Sequence, residues 1–200
     1  MSISTPDLRN AVTKIYAGID PVSAELNELD GRIGDGDLGV TLLNGFTNLS
    51  AAVDDLPDDF GMALFTCAKL MTQASGSSFG TLMATALMAA GKLSKGQPSV
   101  EPSDLPRLLE AANDAMIARG GASLGDKTLL DSINAILTEL KSDPSYSDML
   151  ERSEKAAANA LTAFNDRPNK IGRARIFGDK TIGMDDPGMV AILRLVTLMR

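Results

Sequence analysis

Three aspartates, Asp30, Asp35 and Asp37, fall within eight residues in the segment DGRIGDGDLG (30–39), with Gly34, Gly36 and Gly39 between and beside them. Carboxylates this close repel one another and raise each other's pKa unless a cation neutralises them. Hard oxygen donors without nitrogen or sulfur suit Mg2+ or Ca2+. A calcium loop of the EF-hand type does not fit, because its closing glutamate position, counted from Asp30 or Asp35, holds Thr41 or Phe46. Mg2+ held by a few carboxylates takes its remaining ligands from phosphates and water. The segment therefore points to a phosphorylated ligand, against the plain alternative of a solvated acidic turn.

Gly34, Gly36 and Gly39 also spell G-x-G-x-x-G. The dinucleotide motif needs a preceding strand and a parallel sheet, and Asp35 and Asp37 would repel a pyrophosphate without a metal. Gly120 and Gly125 have P-loop spacing, but Asp126 intrudes before Lys127-Thr128. Neither motif is assigned. Other segments still favour phosphate. Ser75, Gly76, Ser77 and Ser78 precede a helical pattern, so amides and hydroxyls face out at its positive end. Gly120, Gly121 and Ala122 allow close backbone approach, and Asp126 is expected to cap the following helix. Asp186-Pro187 reads as another cap and helix start, with Gly188 leaving room for a flat group.

The elements that must position these residues are helical. Leu8, Val12, Ile15 and Ile19 recur at helical spacing behind Thr5-Pro6-Asp7, and a short segment follows Asp20-Pro21. The same period runs through Leu42 to Val53, Phe60 to Met71, Phe79 to Ala90, Leu105 to Met116 and Leu130 to Leu140, with weaker segments near 147–164 and from about 187 onward. No alternating β-branched run reads as a strand. The expected fold is all-α, an antiparallel up-and-down bundle or barrel of about eight helices, as a single domain over residues 1–200.

The connections are of two kinds. One carries proline: Asp20-Pro21, residues 54–59 around Pro57, residues 96–103 with Pro98 and Pro102, and Asp143-Pro144. The other is rich in glycine and small polar residues: 30–39, 74–80, 119–128 and 172–188. The two kinds alternate, and in an up-and-down bundle alternate loops share an end. All four glycine-rich loops should meet at one mouth and build one site.

Composition narrows the chemistry. The 200 residues carry 19 Lys and Arg against 26 Asp and Glu, a net charge of −7, which excludes a nucleic-acid or anionic-membrane surface as the expectation. With one cysteine and no histidine, a Ser-His-Asp triad, a histidine zinc site and a phosphohistidine on this chain are excluded. Cys67 and the ten methionines read as core filling. No secretory signal or membrane span is read, so a cytoplasmic protein is expected. Arg173, Arg175 and Lys180 stand beside the expected phosphate site in an acidic chain.

Taken in order, ELDGRIGDGDLG, GSSFGT, GDKTLLDS and GRARIFGDKTIGMDDPG resemble the nucleotide-binding L subunit, or C-terminal L domain, of dihydroxyacetone kinases, and the likeness covers essentially the whole chain. The resemblance implies an antiparallel eight-helix barrel with a nucleotide and two Mg2+ ions at one end. It implies Asp30, Asp35 and Asp37 as magnesium ligands. It implies Leu38, Gly39, Val40, Thr41, Ala74, Ser75, Gly120, Leu129, Arg173, Asp186, Pro187 and Gly188 as residues lining ADP or ATP. Position 38 is commonly histidine or cysteine in this motif, and here it is leucine.

The chemistry implied is phosphoryl transfer to dihydroxyacetone or a related small ketose, such as a tetrulose, held covalently by a histidine on a separate K subunit. Two donor modes exist in the family. ATP is a co-substrate in one, and in the other bound ADP is recharged by a phosphohistidine protein of the phosphotransferase system. A stand-alone L chain favours the second and the GDGD spelling with a non-histidine at 38 the first. A reading of another class is a non-catalytic nucleotide-binding partner of a transcription factor. Oligomeric state is not legible.

Overall fold

A computed structural model describes residues 2–74, 77–143 and 148–200. Eight α-helices account for most of them: α1 (Thr5–Ile33), α2 (Leu38–Ala51), α3 (Phe60–Ala74), α4 (Ser78–Ser94), α5 (Leu105–Gly120), α6 (Leu129–Ser142), α7 (Met149–Phe164) and α8 (Pro187–Met199). Each helix packs on its neighbours in sequence, and α8 returns to α1, so the helices close a ring. This is the expected all-α up-and-down barrel.

The first helix differs from its expected form. Asp20-Pro21 is not a connection, because α1 runs unbroken for 29 residues with Pro21 inside it. The apolar face is what carries the helix across: Ile15, Ile19, Val22 and Leu26 stay on one buried stripe through the proline. Burying that stripe along the barrel outweighs the roughly 3 kcal/mol that an interior proline costs. Its cap is Ser4, whose amide and hydroxyl both donate to Asp7. With Pro21 absorbed, the connections still alternate. Four glycine-rich loops join α1–α2, α3–α4, α5–α6 and α7–α8, and three proline-bearing loops lie at the other end. Pro144 lies outside the described residues, as do Ser75 and Gly76.

At the proline end two residues of the N-terminus, β1 (Ile3–Ser4), pair antiparallel with β2 (Ser99–Val100). This ladder is too short to leave an alternating sequence signature. It covers a small apolar cluster of Phe60, Leu64, Val100 and Leu108. The main core fills the barrel with Ile19, Leu26, Leu42, Met71, Met116 and Leu130, all below 2 % exposed. Cys67 is buried on the inner face of α3, and burial pushes its thiol up to about 11, consistent with core filling.

The α1–α8 seam that closes the ring is held by a bidentate pair. Arg194 donates from Nε and Nη2 to the Glu25 carboxylate at 2.8 and 2.6 Å. That guanidinium holds the Glu25 carboxyl below the usual carboxylate range. Both groups are about a third exposed, so the pair fixes the angle of α8 more than it stabilises the fold.

Candidate functional site

In an up-and-down barrel every even-numbered helix starts at the same end. Here α2, α4, α6 and α8 all begin at the glycine-loop end, so four helix N-termini bring their first-turn amides and the positive ends of their dipoles to one mouth. Three of the caps are side chains of the expected kind. Ser77 Oγ accepts from Gly80 N, Thr128 Oγ1 from Leu130 N, and Asp186 Oδ1 from Met189 N. Asp126 is not the cap of α6, contrary to expectation. Thr128 holds that position in a capping box with Asp131, and Asp126 instead accepts from the Ser123 amide within its own turn.

Specific contacts join the four loops. Thr41 Oγ1 donates to Ser77 Oγ at 3.0 Å, tying the start of α2 to the start of α4. Arg173 reaches from the α7–α8 loop to Asp35 Oδ2 at 2.8 Å. Lys170 N donates to Asp126 O, and Asn169 Nδ2 to Lys127 O, which lays the α7–α8 loop on the α5–α6 loop. A Cβ on Gly188 would stand 3.5 Å from Leu129 N, so α8 starts against α6. The convergence expected from loop alternation is therefore present.

The aspartates are brought together. Asp30, Asp35 and Asp37 each offer a carboxylate oxygen, and these lie within 4.8 Å of one another. Asp30 Oδ2 also accepts from Asp37 N at 3.0 Å, which fixes the turn between α1 and α2. Partial burial pushes the Asp37 carboxyl up, and the charges of Asp35 and Asp30 push it further, with Arg173 opposing. A cluster that raises its own member's pKa is one that a cation would relieve. The donor set, oxygen only and partly exposed to solvent, fits Mg2+ with room for ligand oxygens.

The remaining expected residues divide by burial. Leu38 is 8 % exposed and packs in the apolar core, which accounts for a leucine at this position. Gly39 faces α1, where a Cβ would overlap the Ser23 carbonyl, so only glycine lets α2 start this close. Val40 is exposed, its amide held by Asn27 Oδ1. Thr41 is buried, while Gly120 and Arg173 are exposed at the rim. Leu129, Asp186 and Pro187 are buried beneath the mouth, with Ala74 and Gly188 half-buried. Ser75 lies outside the described residues. Arg175 and Lys180 are exposed.

Sequence reasoning missed a buried polar network below this mouth. Lys127 is 1 % exposed, at φ 63, and its amine donates to the carbonyls of Asn165, Arg167 and Thr181 at 3.2, 2.8 and 3.0 Å. Asn169 Nδ2 donates to Lys127 O and to Asp186 Oδ2, and Asn169 N to Thr181 Oγ1. The signal was present: GDKT occurs twice, at 125–128 and 178–181, and the lysine of the first copy bonds the threonine of the second.

Burial dominates Asp186 and raises its carboxyl to about 6, against hydrogen bonds from Met189 and Asn169. A carboxyl whose folded pKa is raised binds its proton more tightly in the folded chain. Its contribution to stability is therefore present below about pH 4 and falls as pH rises to about 6. The change amounts to about 3 kcal/mol over that window. The urea midpoint of the parent chain, compared with Asp186→Asn from pH 4 to 7, should fall relative to the variant across this range. A pH-independent difference would contradict the assignment.

Residues 32–200 match the DAK2 domain family. The chain is 34 % identical over 180 residues to the PTS-dependent dihydroxyacetone kinase ADP-binding subunit DhaL of Lactococcus lactis, covering 88 % of this chain and 85 % of that one. It is 26 % identical to the PEP-dependent dihydroxyacetone kinase ADP-binding subunit DhaL of Escherichia coli, over all of this chain and 97 % of that one. The crystal structure of the C. freundii dihydroxyacetone kinase with AMP-PNP and Mg2+ superposes with a TM-score of 0.72 at 25 % identity, over 95 % of this chain. This chain spans about a third of that enzyme's length, 32 %. The barrel, the four converging loops and these matches make the chain a member of the DAK2-domain family, to which the ADP-binding subunits of dihydroxyacetone kinases belong.

Proposed function

We propose that this chain is the nucleotide-binding subunit of a dihydroxyacetone kinase, holding ADP or ATP with two Mg2+ ions at the glycine-loop end. It would pass a phosphoryl group to dihydroxyacetone or a related short ketose. The observation that carries the reading is the placement of Asp30, Asp35 and Asp37 among four helix N-termini. Carboxylates alone suit a cation and amides alone suit an anion; together they suit a metal–phosphate complex.

In this reading Asp30, Asp35 and Asp37 hold Mg2+, which neutralises charge on the transferring group. The amides at the starts of α2, α4, α6 and α8 take the phosphates, and Arg173 sits at the rim beside Asp35. The Asp186-Pro187-Gly188 turn and Leu129 form one wall. Each of these groups positions and neutralises; the chain brings no histidine with which to hold a ketose.

A partner of the K type would then carry the acceptor. Five of the nine large exposed hydrophobic residues among the described ones, Leu124, Ile176, Phe177, Ile182 and Met184, lie on the α5–α6 and α7–α8 loops. They surround the mouth where the acceptor must arrive, and we assign the K contact to them.

Native mass spectrometry of the chain purified in Mg2+ without added nucleotide tests this reading. Retained ADP and two Mg2+ favour a bound cofactor recharged by a phosphohistidine donor; the L. lactis and E. coli relatives are named ADP-binding subunits of a PTS-dependent and a PEP-dependent kinase. An empty chain that takes up ATP on titration identifies ATP as co-substrate. A chain that binds neither nucleotide overturns the proposal.

A further inference from the structure

Among the described residues Lys127 has the largest side chain of those buried below 2 % exposure, and no step of the proposed chemistry uses it. An ammonium carries three donors and no acceptor, so it survives burial only where three acceptors meet it. Here three carbonyls do, at 2.8 to 3.2 Å. Burial lowers the pKa of this amine, while the charges of Asp186, Asp185 and Asp166 support its protonated form.

The positions of those carbonyls give the amine its meaning. Asn165 and Arg167 stand where the chain leaves α7, and Thr181 closes the 3-10 segment Arg173–Thr181. One side chain thus gathers both ends of the excursion that carries Arg173, Ile176 and Phe177. The backbone carbonyl of the same residue accepts from Asn169, which also holds Asp186, the cap of α8. On its other side Lys127 adjoins Thr128 and Leu129 at the start of α6. A left-handed conformation at a non-glycine residue adds a second, independent sign. Such strain persists where the surroundings over-determine it, and glycine would fill the turn more cheaply if the side chain had no task.

We infer that Lys127 is a positioning residue for the nucleotide end: its buried amine ties the α7–α8 loop down so that Arg173 and the Asp186-Pro187-Gly188 turn face the ligand held by the aspartates. The nucleotide arm of this inference rests on the functional reading above, while the loop-anchoring arm stands without it.

Lys127→Met keeps the stem and removes the donors, taking one donor from each of the three carbonyls, while Asn165 O and Thr181 O keep the amides of Gly183 and Met184. Four quantities separate positioning from plain structure: the far-UV CD signal, Mn2+ affinity of the aspartates without nucleotide, ADP affinity with Mg2+, and the rate of tryptic cleavage after Arg173 and Arg175. The expected variant keeps its helical signal and binds Mn2+ within about twofold of the parent. Its ADP dissociation constant rises about tenfold or more, and cleavage in the loop quickens by a similar factor. A variant cut at the parental rate that binds ADP normally overturns the inference. So does one in which helix content, Mn2+ and ADP binding fall in proportion. If Lys127→Met does not fold, Lys127→Gln, which keeps two donors but no charge for the three carbonyls, must show the same split in smaller measure or the inference fails. Should the parent chain bind no ADP, the functional reading is what has failed, and loop cleavage alone decides the role of Lys127.

Discussion

Replacing Asp30 with asparagine should weaken ADP binding in Mg2+ by about 100-fold, and in EDTA should leave it unchanged or strengthen it slightly. The two signs follow from one charge. In Mg2+ the proposed site makes the Asp30 carboxylate a metal ligand, and losing a direct ligand would cost at least the 10–100-fold typical of outer-shell partners. Without metal the same carboxylate only repels phosphate, so removing it is worth a few tenths of a kcal/mol at high effective dielectric. Asp30 is the best of the three positions for this test. Its side chain accepts from Asp37 N, and an asparagine oxygen can keep that bond and the turn it fixes. Asp35 is a poorer choice because its loss also frees Arg173. Isothermal titration in Mg2+ and in EDTA reads both signs. An Asp30→Asn chain that binds ADP in Mg2+ as the parent does would remove the aspartates from the site.

The outline of this site was legible because two signals were redundant. Helical spacing placed most helix cores, and the alternation of glycine and proline connections placed all four site loops at one end. Pro21 was misread because a local rule, that proline breaks a helix, was applied without the apolar stripe running through Ile19, Val22 and Leu26. Removing that false connection leaves the alternation intact. Asp126 was misread as a cap because an aspartate before a helix has several amides within reach. Thr128, two residues closer to the helix, won with Asp131 as its reciprocal partner. Lys127 was illegible for a different reason. The repeated GDKT hints at a link between the two loops, but no local pattern says which of Lys127 and Lys180 is buried, and the partners of Lys127 lie 38 to 54 residues away. The Arg173–Asp35 pair is of the same long-range kind, joining loops at opposite ends of the chain. Compatibility with the element is read locally; closure between elements is not.

Ile176→Glu combined with Met184→Glu should abolish phosphoryl transfer at limiting concentrations of a K-type partner while leaving ADP and Mg2+ affinity intact. The argument begins with reach. Reacting atoms must come within about 3–3.5 Å, whereas the barrel's ends are separated by helices of 14 to 17 residues, about 20–25 Å. A partner docked at the proline end could not deliver an acceptor to the aspartates. It must cover the mouth, and the apolar residues there are the surface it would cover. Ile176 is 78 % exposed, more than any other large hydrophobic residue among those described, and no packing need explains it. Burying an isoleucine is worth about 1.5–3 kcal/mol, and a glutamate in its place adds the cost of removing a charge from water. Two such changes should raise the partner concentration for half-maximal rate by more than about 100-fold. Neither residue bonds the aspartates or the caps, so the maximal rate at saturating partner should stay near the parental value. Loss confined to that maximal rate would move these residues from docking into the chemistry. An unchanged partner dependence would place the K contact elsewhere on the rim.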